Sequence, residues 1–273
     1  MAGVGAVVVG IGVSPAWVHD VAVGIAVVVG LAVFLHECRR RRMWDERLIP
    51  VIVGLVVGGA VGARLAGVLD AATQDGVGAV AWAWQEGGRS ILGGLSGAYV
   101  GALIGKRVGG YTGRTGDLFA PAVAIGLAIG RIGCLLTEAP GRPTSLPWGV
   151  TVDPSLAANV PECPGCVAGA AMHPSFLYEI VFCLLAFAAL LWLRDRIDSP
   201  GETFVLFLAA YAVFRFGVEF TRANPPDLLG LTRSQVFLLV LSPLLAVRVW
   251  RAWHRGVYDR LLPTVRTPVR GAA

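Results

Sequence analysis

Charge is scarce in this chain. Asp, Glu, Lys and Arg together make up 15% of the 273 residues, where a soluble domain carries about 25%. Histidine occurs only four times, methionine three times and tyrosine five times. So little charge excludes a disordered chain and an ordinary soluble enzyme. Glycine is plentiful, at 36 residues, but follows no Gly-X-Y period, which excludes a collagen-like rod. No internal repeat is visible, which argues against transporters assembled from inverted halves. What is present is apolar: 55% hydrophobic residues and a mean hydropathy of +0.68. The solvent of this chain is mostly lipid.

A helix needs ~20 apolar residues to cross a bilayer. Runs approaching that length lie at about 18–37, 48–69, 90–105, 117–136, 174–193, 202–221 and 233–250. They predict an all-α polytopic membrane protein of about seven transmembrane helices, a single membrane domain over residues 1–273. The third run is short and glycine-rich, which suits a helix that does not cross cleanly. Residues 2–13 are apolar but too short to span, and no basic stretch precedes them as in a cleaved signal peptide. They read as an interfacial or re-entrant segment.

The distribution of Lys and Arg sets the expected orientation, because cytoplasmic loops retain basic residues. Sixteen fall on one side: Arg39 to Arg42, Arg47, Lys106, Arg107, Arg114, Arg194, Arg196, Arg248, Arg251, Arg255, Arg260, Arg266 and Arg270. The other side carries Arg89, Arg142, Arg222 and Arg233. The N-terminus is therefore expected outside and the C-terminus in the cytoplasm. The 137–173 segment becomes an external loop, and 251–273 a basic cytoplasmic tail. Topology accounts for the net charge of +5, so nucleic acid is not an expected partner.

Three basic residues remain inside the apolar runs: Arg64, Arg131 and Arg215. An ionisable group at membrane depth costs several kcal/mol and normally faces the bundle interior with a partner. Glu219 lies one turn beyond Arg215, so an i,i+4 ion pair is one reading. A second reading is an anionic ligand, since three guanidiniums outnumber the acids within the spans. A lipid phosphate suits bidentate guanidinium binding. Arg131 is flanked by Gly126, Gly130 and Gly133, and Gly93-Gly94-Leu95-Ser96-Gly97 repeats the small-residue pattern, allowing close approach of a helix or lipid.

Among the five cysteines only Cys163-Pro-Gly-Cys166 forms a pattern. Two more ligands are lacking nearby, so a zinc site is not expected there, nor any cofactor. A structural clasp, redox activity or no bond at all stay open. His36 and His254 sit by basic ends and read as interfacial. His173 opens H-P-S-F-L-Y-E, either as a polar helix-entry residue or as a base facing the lipid site, while Tyr178 and Glu179 read as helix-packing or supporting residues.

In order along the chain stand V-G-A-R-L (61–65), G-R-I-G-C-L-L-T-E-A-P-G-R (130–142), H-P-S-F-L-Y-E (173–179), Y-A-V-F-R-F-G-V-E-F-T-R (211–222) and L-T-R-S-Q-V (231–236). With these segments the sequence resembles the prolipoprotein diacylglyceryl transferase family. The resemblance implies a seven-span bacterial inner-membrane enzyme with its N-terminus outside. Its implied reaction moves the diacylglyceryl group of phosphatidylglycerol onto a prolipoprotein cysteine thiol and releases glycerol phosphate. It also implies that Arg131 and Arg215 are essential, stabilising charge on the leaving phosphate. Arg64, Tyr211, Glu138, Gly141, Arg142 and Glu219 are implied as substrate contacts, in a cavity open to lipid beside Arg131 and Arg215.

Two departures stand out. The family's third span carries H-G-G-L, whereas here it reads S-I-L-G-G-L-S-G-A-Y with no histidine. The family's R-x-G-N is R-I-G-C, with Cys134 in the Asn position, read as either a small apolar filler or altered chemistry. Tyr99 and His173 are the candidates to move the thiol proton. A paralogue that binds the same anionic lipid but serves another acceptor or is inactive is an alternative. A transporter or channel is a further one.

Overall fold

The computed structural model describes residues 16–74, 76, 78, 80, 90–138, 140–151 and 170–261. Its elements are helices α1 (Ala16–Arg40), α2 (Leu48–Gln74), α3 (Ile91–Gly109), α4 (Gly116–Thr137), α5 (Ser175–Leu193), α6 (Glu202–Val218) and α7 (Arg233–His254). A two-residue hairpin, β1 (Val150–Thr151) with β2 (Ala171–Met172), pairs antiparallel, and short 3₁₀ turns follow α6 and α7. Each apolar run of the sequence becomes one helix, so the polytopic all-α expectation holds. Six of the seven are long and apolar enough to cross a membrane, with α3 the exception. Large apolar side chains lie exposed on the helices, such as Val213 at 71% and Val240 at 70%, as lipid-facing positions should.

Residues Cys38–Gly113 form one compact unit; the chain through Glu37 together with Arg114 onward forms another. In the first, α2 and α3 pack backbone to backbone. A methyl group at Gly97 would overlap the Gly58 carbonyl, and one at Gly101 the Gly54 carbonyl. The i,i+4 spacing of Gly54, Gly58 and Gly62 on α2, against Gly93, Gly97 and Gly101 on α3, keeps both stripes facing each other. Ser90 caps α3 by accepting from the Gly93 amide at 3.2 Å, and Gly110 ends it at φ 65°.

In the second unit α4 is the most enclosed span, packed against α5 and α6. Helix α1 approaches α4 where side chains are smallest: a methyl at Gly133 would stand 2.8 Å from Ala22 Cβ, and one at Gly30 3.2 Å from the Ala122 carbonyl. Both ends of this unit are pinned by buried polar groups. At one end Asp117 caps α6, accepting from the amides of Gly201 at 2.6 Å and Phe204 at 3.2 Å. Buried Glu37 pairs there with Arg194 at 2.5 Å, and buried Glu202 with Arg248 at 2.7 Å. At the other end α7 starts with a capping box between Thr232 and Gln235. A groove of about 470 Å³, lined by Ala212, Val213, Leu245, Ala246 and Val249, runs between α6 and α7.

Cys163 and Cys166, residues 2–13 and the tail beyond residue 261 lie outside the described residues, so the readings made for them stay as stated.

Candidate functional site: a buried arginine cluster

Four helix ends meet where the second unit's capping box stands: the C-terminal halves of α4 and α6, and the starts of α5 and α7. Arg131 on α4, Arg215 on α6 and Arg222 just past it converge on Glu179 of α5. Arg131 Nη2 donates to Glu179 Oε1 at 3.0 Å and lies 2.7 Å from Oε2. Arg215 Nε stands 3.7 Å from the same carboxylate, and Arg222 Nη1 3.6 Å. Glu219 bonds to Arg215 and lies 3.9 Å from Arg222 Nε. It also accepts from Thr232 Oγ1 at 2.9 Å and Asn224 Nδ2 at 2.7 Å. Phe176 underlies the cluster, with the guanidinium carbon of Arg222 4.6 Å and that of Arg131 5.5 Å from its ring centroid.

The charge balance decides what this arrangement can do. Three guanidiniums, of side-chain exposure 5%, 6% and 14%, share two carboxylates that are 1% and 0% exposed. The next acid, Glu138, is 43% exposed and stands 3.9 Å from Arg222. Nε of each arginine, and Nη1 of Arg222, are buried without a hydrogen-bond acceptor. Burial, and then the guanidiniums of Arg131 and Arg215, pull the Arg222 pKa below the ordinary arginine range. Donors this crowded call for an anion with several oxygen acceptors.

The sequence-derived candidates distribute unevenly around this centre. Arg131 and Arg215 come together as expected, both on Glu179. Tyr211 is buried and donates to Glu179 Oε1 at 3.2 Å, so its hydroxyl is engaged by the cluster. Glu219 forms the i,i+4 ion pair with Arg215 and is saturated by donors, which makes it the group that positions Arg215. Gly141 is wedged where a side chain would overlap the Thr221 carbonyl and Ser175 Oγ; its amide bonds to the His173 carbonyl at 2.8 Å. Arg142 is exposed and donates through Nε to the Arg222 carbonyl at 2.9 Å. Arg64 and Tyr99 belong to the α2–α3 unit, where Tyr99 is 60% exposed. The residues lining the α6–α7 groove include none of the arginine cluster.

His173 lies in a short hydrogen-bond chain. Trp148 Nε1 donates to Tyr178 Oη at 2.9 Å, and Tyr178 Oη lies 3.1 Å from His173 Nδ1. An indole can only donate, so the phenol oxygen accepts from it and its O–H can donate a hydrogen bond to Nδ1. In that tautomer the other imidazole nitrogen, Nε2, carries the proton and is a donor.

Two residues stand closer to the cluster than the sequence alone suggests. Glu179, read as a helix-packing or supporting residue, is the carboxylate that three arginines and Tyr211 share. Arg222, counted among the loop cations, turns its guanidinium into the buried cluster. A signal for Arg222 exists in the sequence: Tyr211, Arg215, Glu219 and Arg222 follow spacings of 4, 4 and 3, one continuous helix face.

Six membrane-length helices, with a buried cluster at one end of the second unit in which arginines outnumber carboxylates, define the class: a polytopic membrane protein. Residues 7–251 match the family described as prolipoprotein diacylglyceryl transferase, and the chain belongs to that family. A phosphatidylglycerol–prolipoprotein diacylglyceryl transferase of Bordetella parapertussis is 34% identical over 232 residues, covering 76% of this chain and 79% of that one. The enzyme of the same name from Thermosynechococcus vestitus is 30% identical over 261 residues, 92% of both chains. That of Gloeobacter violaceus is 37% identical over 217 residues, 77% of this chain and 78% of its own.

Proposed function

We propose that this chain transfers the diacylglyceryl group of phosphatidylglycerol to the cysteine thiol of a prolipoprotein. The sulfur attacks the glyceryl carbon bonded to the phosphate. A carbon–sulfur bond forms, the carbon–oxygen bond breaks, and glycerol phosphate leaves with the electron pair. The thiol proton passes to a base or to the leaving phosphate. The observation that carries this reading is the excess of buried guanidinium over buried carboxylate at Arg131, Arg215 and Arg222. Negative charge grows on the leaving phosphate, and preorganised donors there stabilise the transition state more than the ground state.

Within this reading Arg131 and Arg215 hold the phosphate, and Glu179, Tyr211 and Glu219 fix their orientation. Arg64 contacts the headgroup region, Glu138 orients the lipid glycerol or an arginine, and Gly141 and Arg142 shape the entrance. In the tautomer whose Nδ1 accepts from Tyr178, His173 offers Nε2–H as a donor to the leaving group. In the other tautomer Nε2 can act as the base, with Tyr99 or water as the further routes for the thiol proton. The membrane is the bacterial inner membrane, with the 137–173 loop outside.

The test is turnover in phosphatidylglycerol vesicles with a lipobox peptide, read as the mass gain of one diacylglyceryl group. Arg131→Ala and Arg215→Ala should each lower turnover by ~10²-fold or more, the scale of losing one preorganised donor, with the fold retained. Arg→Lys should also be poor, because an ammonium cannot bind phosphate through two parallel bonds. Tyr99→Phe or His173→Ala should cut turnover ~10²–10⁴-fold if that residue moves the proton. Unchanged turnover in both arginine-to-alanine variants would reject the assignment. Lipid binding without any transfer in the unmodified protein would favour a paralogue with another acceptor.

A further inference from the structure

Beside the arginine cluster, a second set of side chains converges from α1 and α4. His19, Cys134 and the residue capping α4, Glu138, bring one ligand atom each within 4.8 Å of one another. We infer that these three residues form a binding site for a zinc-class divalent cation. The inference concerns metal binding alone and stands whether or not the transfer reading holds.

The local structure explains why they meet. Cys134 and Glu138 are four residues apart at the end of α4, and the Glu138 amide closes the helix on the Cys134 carbonyl at 2.8 Å. Residues at that spacing share one helix face. His19 reaches that face because residue 133 is glycine. A methyl there would stand 3.3 Å from His19 Cα and 2.8 Å from Ala22 Cβ, tighter than side-chain contacts normally are. The glycine lets α1 lie against α4 at the turn that carries the histidine.

The donor set also fits the ion. Imidazole, thiolate and carboxylate are the ligand types that zinc takes, and three protein ligands leave a fourth position for water. Binding displaces the Cys134 thiol proton to solvent, and the thiolate and carboxylate then cancel the charge of a divalent cation, so the occupied site is itself neutral. Arg131 Nη1 lies 3.6 Å from Cys134 Sγ, where an N–H···S bond supports the thiolate as outer-shell partners of metal ligands do. Asp20 Oδ1 stands 3.7 Å from His19 Nδ1 and places negative charge beside the imidazole. Arg222, 3.9 Å from Glu138, competes for that carboxylate, so binding should be weaker than at a closed structural site.

The experiment uses the full chain in lipid nanodiscs, stripped with a chelator and titrated with Co²⁺ as the optical probe. Stoichiometric binding with a thiolate-to-cobalt charge-transfer band, displaced by Zn²⁺, is expected. Cys134→Ala should abolish that band. His19→Ala and Glu138→Gln should each weaken Co²⁺ by at least the ~10–100-fold that loss of an outer-shell partner gives. The double variant Cys163→Ser, Cys166→Ser should keep both band and stoichiometry, separating this site from the loop cysteines. Elution volume and thermal midpoint establish that each variant is folded, and His19→Ala tests the site from α1 should Cys134→Ala fail that check. No stoichiometric Co²⁺, a band that survives Cys134→Ala, or a band lost only in the Cys163, Cys166 variant would each overturn the site.

Discussion

Among the described residues Glu179 supplies the one carboxylate that Arg131, Arg215 and Arg222 all approach, and its removal exposes how the cluster is balanced. Breaking a buried ion pair by deleting one partner costs about 3–5 kcal/mol, because the surviving charge stays buried. Glu179→Ala should therefore lower the thermal midpoint markedly in a neutral detergent. An anionic lipid should recover part of that loss, since its phosphate can stand in for the carboxylate. A neutral lipid that recovers as much would show that the cluster does not select anions. At this scale the sequence was only half legible. Arg131 and Arg215 stand out because an arginine in an apolar run needs a reason. Glu179 also lies inside an apolar run, but nothing on its own helix says that α4 and α6 bring guanidiniums to it. The burial of Arg222 is readable from its face on α6, but only once that helix is known to continue in phase through the 3₁₀ turn at Glu219–Thr221.

The elements were legible almost in full, because runs of apolar residues bounded by Arg, Pro and Gly mark membrane helices more plainly than soluble ones. The hairpin inside the 137–173 segment was not, since strands of two residues leave no periodicity to read. The glycine-rich third run shows how composition and packing connect. Read alone, its glycines weaken the case for a clean span. Against α2 they become the contact surface, since Gly93, Gly97 and Gly101 meet carbonyls of α2 with no room for a methyl. Gly97→Ala should then separate the two helices, costing about 1–3 kcal/mol as overpacking does. Gly24→Ala on α1, where nothing lies within 4 Å of the added carbon, should be neutral or slightly stabilising through helix propensity. The comparison is made by thermal unfolding of both variants in the same lipid. Equal midpoints would mean that the close approach of α2 and α3 is not what holds that unit together.

On the scale of the whole molecule, the distribution of basic residues between the two ends of the bundle predicts which side each end faces. Within the unit built on α4 to α7, the arginine cluster stands at the end where α4 finishes and α5 begins, the end joined by the 137–173 segment. The opposite end gathers Arg194, Arg248 and Arg255, paired with buried Glu37 and Glu202, among a larger set of exposed basic residues. Basic residues near span ends resist translocation, so that end should be cytoplasmic and the cluster should open toward the outer leaflet. A reporter fused after residue 273 is then expected to be active only in its cytoplasmic form. Single cysteines placed at exposed Glu46-to-Arg47 positions and at Leu146 or Trp148 give the complementary reading, in a background where the native cysteines are replaced. A membrane-impermeant thiol reagent added outside intact cells should label 146 and 148 and spare 46 and 47. The reverse pattern would invert the molecule, place the cluster at the cytoplasmic leaflet, and require the lipid and its acceptor to enter from that side.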